Sequence, residues 1–141
     1  VHYADLVECL PYDDAVYMLK VTGTQLERMI RHILRDEAFQ GEHTEFYQFS
    51  HGTHIVWSRS EQAFRTLTLD GEALYAELYT VAVQKYHYNN LKPFLDITLE
   101  EVEKNGKIRV LSTSARDVVE EYLTVNQHLS REVEGRLVVE D

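Results

Sequence analysis

A single cysteine, Cys9, leaves the chain with no intramolecular disulfide and no cysteine-built metal cage. In its apolar setting, "LVECLPY", Cys9 reads as a small buried hydrophobe rather than a nucleophile. Positive charge is scarce: 14 Lys and Arg stand against 24 Asp and Glu, for a net charge of −10. That balance argues against a nucleic-acid partner, whose backbone needs clustered Lys and Arg. It also provides no overall field for a phosphate-bearing ligand, which would need a local cation. No apolar run approaches the roughly 20 residues that span a bilayer. Neither nucleotide fingerprint, G-x-x-x-x-G-K-[ST] nor G-x-G-x-x-G, occurs, and neither does H-E-x-x-H or an EF-hand loop. His51 and His54, three apart on extended chain, face opposite ways. The dipeptide Ser50-His51 in "FSHG" is not a nucleophile elbow. No catalytic residue and no metal ligand is therefore expected in this chain.

The 141 residues are enough for one domain with a real core, and at 44% hydrophobic and 27% charged the chain reads as globular. We read 1–141 as a single domain. It opens at Val1 directly in patterned sequence, as an N-terminally truncated piece of a longer chain does. "ADLVECL" places Leu6, Val7 and Leu10 on one helical turn, stopped by Pro11. Asp13-Asp14 reads as a turn. "AVYMLKV", Ala15 to Val21, is a strand covered on both faces. "TGTQLERMIRHILRD" is a helix: Thr22 and Gln25 form a capping-box pattern, and Leu26, Met29, Ile30, Ile33 and Leu34 make an apolar stripe. "FYQFS" and "HIVWS" suggest a hairpin joined by His51 to Thr53. "FRTLTL" is a strand ending in the Asp70-Gly71 turn. "ELYTVAVQ", Glu77 to Gln84, is a strand expected at the sheet's centre, followed by an irregular stretch, Lys85 to Pro93. "ITLEEVEKNGK" is a short helix or loop, and "IRVLSTS" a strand. Ser114 caps a helix with Val118, Val119, Tyr122 and Leu123 inward, and "EGRLVVED" closes as a strand. Helices interleaved with hairpin-linked strands predict an α+β fold, with a mixed or antiparallel sheet and packed helices.

What is plentiful is aromatic: nine Tyr, five Phe and one Trp. Two groups fall at element ends, where ligand sites sit. One is Phe46 and Tyr47, after a polar loop. The other is Tyr86 and Tyr88, followed by Asn89 and Asn90. Two ring faces a ring's thickness apart can clamp a planar base; the same rings could equally cover the edge of the core.

The ordered motifs resemble the C-terminal domain of the 5′-nucleotidases, a family that includes UDP-sugar hydrolases and 2′,3′-cyclic nucleotide phosphodiesterases. "YADLVECLPYDDAVYMLKVTGTQLERMI" is similar to the family's opening, a short helix, "LPF" or "LPY", a strand and "L-x-G-x-x-L". "FYQFSHG" is similar to "FLQVSG", and "YTVAVQKYHYNN" to "Y-x-V-A-x-x-x-F-x-A-x-G-G-D-G-F". "EYLTVNQHLSREVEGRL" is similar to the family's ending, with "GR" before the last strand.

The resemblance implies a nucleotide-recognition domain of a metal-dependent phosphoester hydrolase. The parent's N-terminal metallophosphoesterase domain would hold two divalent metal ions and carry out the chemistry; this chain would be inactive alone. The implied partners are a nucleotide or nucleoside and that N-terminal domain, with a homodimer also admissible. Carried over by position, Phe46 and Tyr86 sandwich the base. The family's base-contacting Asn and substrate-binding Arg residues lie upstream of the equivalent of Val1. The family's "GGDG" is "NLKP" here, Asn90 to Pro93, and Lys92 stands where the ribose-binding Asp falls. An ammonium only donates, so Asn89 or Asn90 would have to accept the hydroxyl hydrogens. The altered loop leaves a second reading: a structural or dimerisation module of the same fold that has lost nucleotide contact. A third is a free-standing binding protein. Family habit is secretion or surface display; one cysteine is equally compatible with the cytoplasm.

Overall fold

The computed structural model of the chain describes residues 2–40, 47–75 and 77–141. A short helix, α1 (Tyr3–Cys9), opens the fold. Its start is fixed by Asp5, whose carboxylate accepts from the His2 amide at 2.7 Å. Leu6 is its buried residue, and Cys9 is exposed, contrary to the sequence expectation. Cys9 is the last residue of the helix, and the covered side there is taken by Leu6, with Val7 and Leu10 partly covered.

The first sheet has three strands in the order β5 (Tyr79–Gln84), β1 (Val16–Val21), β6 (Arg109–Ser112), all antiparallel. The central strand is thus β1, and β5 is an edge strand rather than the centre expected. Hydropathy did not distinguish them, because β5 alternates: Tyr79, Val81 and Val83 pack inward while Thr80, Ala82 and Gln84 are exposed. Leu19 and Val21 of β1 are wholly buried. The helix α2 (Gly23–Ile33) lays its stripe on this core, with Met29, Ile30, Ile33 and Leu34 buried. Its capping box is formed as expected: Gln25 N–H donates to Thr22 Oγ1 at 3.2 Å, and Thr22 N–H to Gln25 Oε1 at 2.8 Å.

The second sheet has four strands in the order β4 (Glu72–Ala73), β3 (Ala63–Leu69), β2 (Thr53–Ser58), β7 (Leu137–Glu140), with β7 parallel to β2 and the rest antiparallel. Trp57 of β2 is wholly buried, edge-on to Phe64 of β3 at 4.8 Å. The Arg31 guanidinium of α2 lies 5.0 Å from the Phe64 ring centre, a cation–π contact that ties helix to sheet. Asp70 and Gly71 link β3 to β4 with φ of 53° and 83°, as a type I′ hairpin turn needs.

The expected hairpin between "FYQFS" and "HIVWS" does not form. Residues 47–50 are not strand, and β2 takes β3 as its antiparallel partner. Gly52, at φ +85°, ends the approach segment, and its carbonyl accepts from the Asp70 amide at 2.8 Å. The segment Lys85 to Pro93 is not irregular either. It forms α3 (Lys85–Asn89) and α4 (Leu91–Leu95), joined at Asn90. Pro93 sits in the first turn of α4, where a missing amide hydrogen costs no intrahelical bond.

The helix α5 (Leu99–Asn105) starts at a Thr98–Glu101 capping box. The last helix, α6 (Ala115–Val125), is capped by Ser114, whose Oγ accepts from the Asp117 amide at 2.9 Å. Its burial differs from expectation: Val119 and Leu123 are partly covered, whereas Val118 and Tyr122 are exposed. The cause is that α6 packs chiefly on the short helix α1, so only the narrow i, i+4 ridge is covered. Asp13 is more than a turn residue. Its carboxylate accepts from Ser114 Oγ at 2.8 Å and from the Arg116 amide at 3.1 Å, clasping the α1–β1 loop to α6. These donors hold the Asp13 carboxyl below its ordinary range, the Arg116 amide contributing most.

Candidate functional site

Of the predicted site residues, Tyr86 and Asn89 lie on α3, Asn90 at its junction with α4, and Lys92 on α4, beyond the end of β5. The ladder between β1 and β5 continues one step into α3, where the Lys85 amide donates to the Ala15 carbonyl at 2.8 Å. Tyr88 then stacks on Tyr17 of β1, ring centres 4.2 Å apart and planes 4° from parallel. Residues two apart on a helix point some 200° apart by its 3.6-residue period. Anchoring Tyr88 to the sheet therefore sends Tyr86 outward, where it is 49% exposed. The two tyrosines, equivalent in the sequence, thus part company: Tyr88 is structural and Tyr86 presents a ring face.

Tyr86 stands in an aromatic group. Its ring centre is 5.3 Å from Phe94 of α4. His87 lies edge-on to Phe94 at 5.8 Å and edge-on to Tyr47 at 5.4 Å. Tyr47 is the residue after Phe46, which itself lies outside the described residues. The two aromatic stretches singled out in the sequence therefore do meet, through Tyr47 and His87. Sequence reasoning missed His87 and Phe94. Reading "KYHYNN" as a helical turn would have found His87 beside Tyr86, because that period separates Tyr86 from Tyr88 and frees the intervening face.

Asn89, Asn90 and Lys92 line a different feature. With Ile97 and Thr98 they border an open groove of about 420 Å3 on the other side of the α3–α4 junction, and Tyr86 is not part of its lining. Asn90 bridges the two helices: its Nδ2 donates to the Tyr86 carbonyl at 2.8 Å, closing the end of α3. Lys92 is ion-paired with Asp96 one turn on. That pair holds the Asp96 carboxyl below its ordinary value, Lys92 contributing most. Arg28 of α2 approaches the same Asp96 at 3.8 Å and binds Glu101 at 2.6 Å. The Arg28 bond, with the Thr98 amide second, lowers Glu101 to about 2. His32 Nε2 donates to the Pro93 carbonyl at 2.9 Å, pinning α4 to α2. The junction is thus held by polar contacts from α2, while its aromatic side faces solvent.

Among the described residues no group of three or more His, Cys, Asp or Glu is placed to hold a metal ion. No helix among them is long and apolar enough to cross a membrane.

Residues 1–95 match the family model described as the 5′-nucleotidase C-terminal domain. No curated protein sequence matches the chain. Among solved structures, the crystal structure of a 5′-nucleotidase precursor from Thermus thermophilus aligns with a TM-score of 0.79 at 16% identity. It covers 100% of this chain and 28% of its own. A protein assigned as a 5′-nucleotidase from Staphylococcus aureus, crystallised with α-ketoglutarate, aligns at 0.64 and 14% identity, over 97% of this chain and 29% of its own. The chain spans less than a third of either relative's length. At such identities the structural likeness establishes the α+β fold, and the sequence match establishes membership: the chain belongs to the 5′-nucleotidase C-terminal domain family.

Proposed function

We propose that this member of the family is one domain, 1–141, that recognises a nucleotide or nucleoside for a 5′-nucleotidase-type phosphoester hydrolase. The observation that carries the reading is the meeting of the Tyr47 stretch with Tyr86 across His87. Phe46 is the residue that precedes Tyr47 in the chain. A base entering there would stack on the exposed face of Tyr86 with Phe46 as its second wall. Each stack is worth roughly 1–3 kcal/mol and is tolerant of base identity.

The hydrolytic step belongs, in this reading, to an N-terminal metallophosphoesterase domain whose two divalent ions polarise the phosphoryl group and activate water. The residues of this chain bind and orient. Substrates of the UDP-sugar or 2′,3′-cyclic nucleotide type fall within the same proposal, since a stacking wall reads only the base face. The direct test is titration of the chain with UMP and with adenosine, followed by calorimetry, in wild type and Phe46→Ala. Saturable binding that Phe46→Ala weakens supports the reading; no binding of either ligand overturns it. Phosphate release by the isolated, metal-supplemented chain would sink the assignment of chemistry to another domain.

One observation favours the second reading, a structural or dimerisation module. Lys92 occupies the position of the family's ribose-binding acid, and its charge is taken up by Asp96. The same titration separates the readings, and sedimentation of the chain reports whether it self-associates.

A further inference from the structure

The segment 47–52 carries Tyr47 to His87 and is not strand. Its downstream end is fixed by the Gly52 carbonyl, which accepts from Asp70. Halfway along, a second attachment comes from the far end of the chain. Arg136 Nη1 donates to the Phe49 carbonyl at 2.6 Å. The same guanidinium gives its Nε hydrogen to Glu134 Oε2 at 2.8 Å. That carboxylate oxygen also meets His51 Nδ1 at 3.0 Å. Glu134 therefore aims the fork and braces the segment on the other side of Phe49. Arg136 is itself held, since its carbonyl accepts from the Ile55 amide at 2.8 Å as β7 enters register beside β2.

We propose that Arg136 is a positioning residue for the base-stacking wall: its guanidinium, aimed by Glu134, holds the Phe49 carbonyl and so fixes the Tyr47–Phe49 segment against α3. The inference rests on the function proposed above for that wall. Three features support it. The attachment is to a backbone carbonyl, so it constrains the path of the chain rather than one rotamer. The planar fork serves Phe49 and Glu134 at once from two of its nitrogens, which a lysine's point charge does not reproduce. Arg136 also lies beyond the 1–95 matched by the family, immediately before the last strand, so its connection to the site exists only in the folded chain.

The test has a readout that needs no ligand. In Arg136→Met and Glu134→Gln, nuclear magnetic resonance follows the His87 ring protons and their cross-peak to the Tyr47 ring. The Trp57 indole N–H, buried in the core, reports global packing. Both variants are expected to shift the His87 signals and weaken the cross-peak, Arg136→Met more strongly, with the Trp57 signal unmoved. UMP and adenosine titrations should then show affinity reduced about fivefold or more in Arg136→Met, the loss of one well-aligned stack. Unchanged His87 signals in Arg136→Met overturn the proposal, as does a Trp57 shift as large as that of His87. Should Arg136→Met not fold, Glu134→Gln decides by the same signals. If wild-type chain binds neither nucleotide, the base-stacking reading fails, while the His87 signature still decides whether Arg136 positions the segment.

Discussion

Replacing Tyr86 by alanine isolates the proposed stacking contact from the stability of the fold. The ring is 49% exposed, so truncation removes little buried area. Its contacts are with Phe94 at 5.3 Å and the neighbouring His87, both at the surface side of α3 and α4. The helix is held by other groups: Tyr88 on Tyr17, Asn90 on the Tyr86 carbonyl, and the Lys85 amide on Ala15. None of these uses the Tyr86 ring. A half-exposed aromatic with two ring neighbours contributes on the order of 1 kcal/mol to stability, a shift of a few degrees in melting temperature for a chain of this size. Loss of a base stack is worth about 1–3 kcal/mol, or about 5- to 150-fold in Kd. Tyr86→Phe keeps the ring face and should bind within about twofold of wild type. The assay is calorimetric titration with UMP and adenosine beside thermal unfolding of each variant. Tyr86→Ala binding as tightly as wild type, with its fold intact, would refute the stacking role. So would a stability loss large enough to account for the affinity change by itself.

Three further outcomes follow from the geometry. Gly52→Ala should cost about 1–3 kcal/mol in urea unfolding, because φ is +85° and the new Cβ would lie 2.1 Å from Asp70 Oδ1; adding Asp70→Gly should recover the clash and leave the backbone strain of about 1 kcal/mol. Glu101, lowered from 4.5 to about 2 by Arg28 and Thr98, stabilises the fold fully above pH 4.5 and loses that contribution as pH falls from 4.5 towards 2. With side chains 40% and 32% exposed, solvent screening holds the contribution to about 1 kcal/mol, so Arg28→Met should flatten the fall in unfolding midpoint between pH 5 and about pH 2.5, and an unchanged profile would count against the assignment. Lys92→Asp puts a carboxylate where the family has one. It should strengthen adenosine binding but not binding of 2′,3′-dideoxyadenosine, and an equal response of the two would show that the position does not read ribose hydroxyls.

Local signals were legible wherever one residue type decides one geometry. Thr22 with Gln25, and Ser114, fixed helix starts through side-chain acceptors that need only the next turn. Asp70-Gly71 fixed a hairpin because both positions require positive φ. Pairing order was not legible. β1 and β5 have comparable apolar content, and which lies at the centre depends on β6 arriving from about ninety residues along the chain to pair with β1. The stretch "FYQFS" alternates as a strand does, yet its Phe49 carbonyl bonds to an arginine side chain instead of a neighbouring strand. Lys85 to Pro93 reads as irregular in the sequence, yet it forms two short helices, with Pro93 in the first turn of α4, where a helix tolerates proline. At the site, spacing alone does not rank Tyr86 and Tyr88; the resemblance singled out Tyr86, and the Tyr88–Tyr17 stack gives the physical difference between them. Asn89, Asn90 and Lys92 proved to share a groove from which Tyr86 is absent.

That separation bears on what kind of ligand the domain suits. In the groove, the side chains of Asn89, Asn90 and Lys92 offer amide and ammonium donors, with acceptors only at the amide oxygens. The nearby carboxylate, Asp96, is already committed to Lys92 and faced by Arg28. Its charge joins α4 to α2, and pulling it toward a sugar diol would give up its contacts with Lys92 and Arg28. The ring face of Tyr86 carries no such prior commitment. Its outward orientation is set by the Tyr88–Tyr17 stack on the opposite side of the same helix. In the proposed reading, base stacking falls to the Tyr86 face and sugar contact to the groove, and Asn90, which lines the groove and bonds the Tyr86 carbonyl, joins the two. A substitution at Lys92 leaves untouched the Tyr88–Tyr17 stack that turns Tyr86 outward.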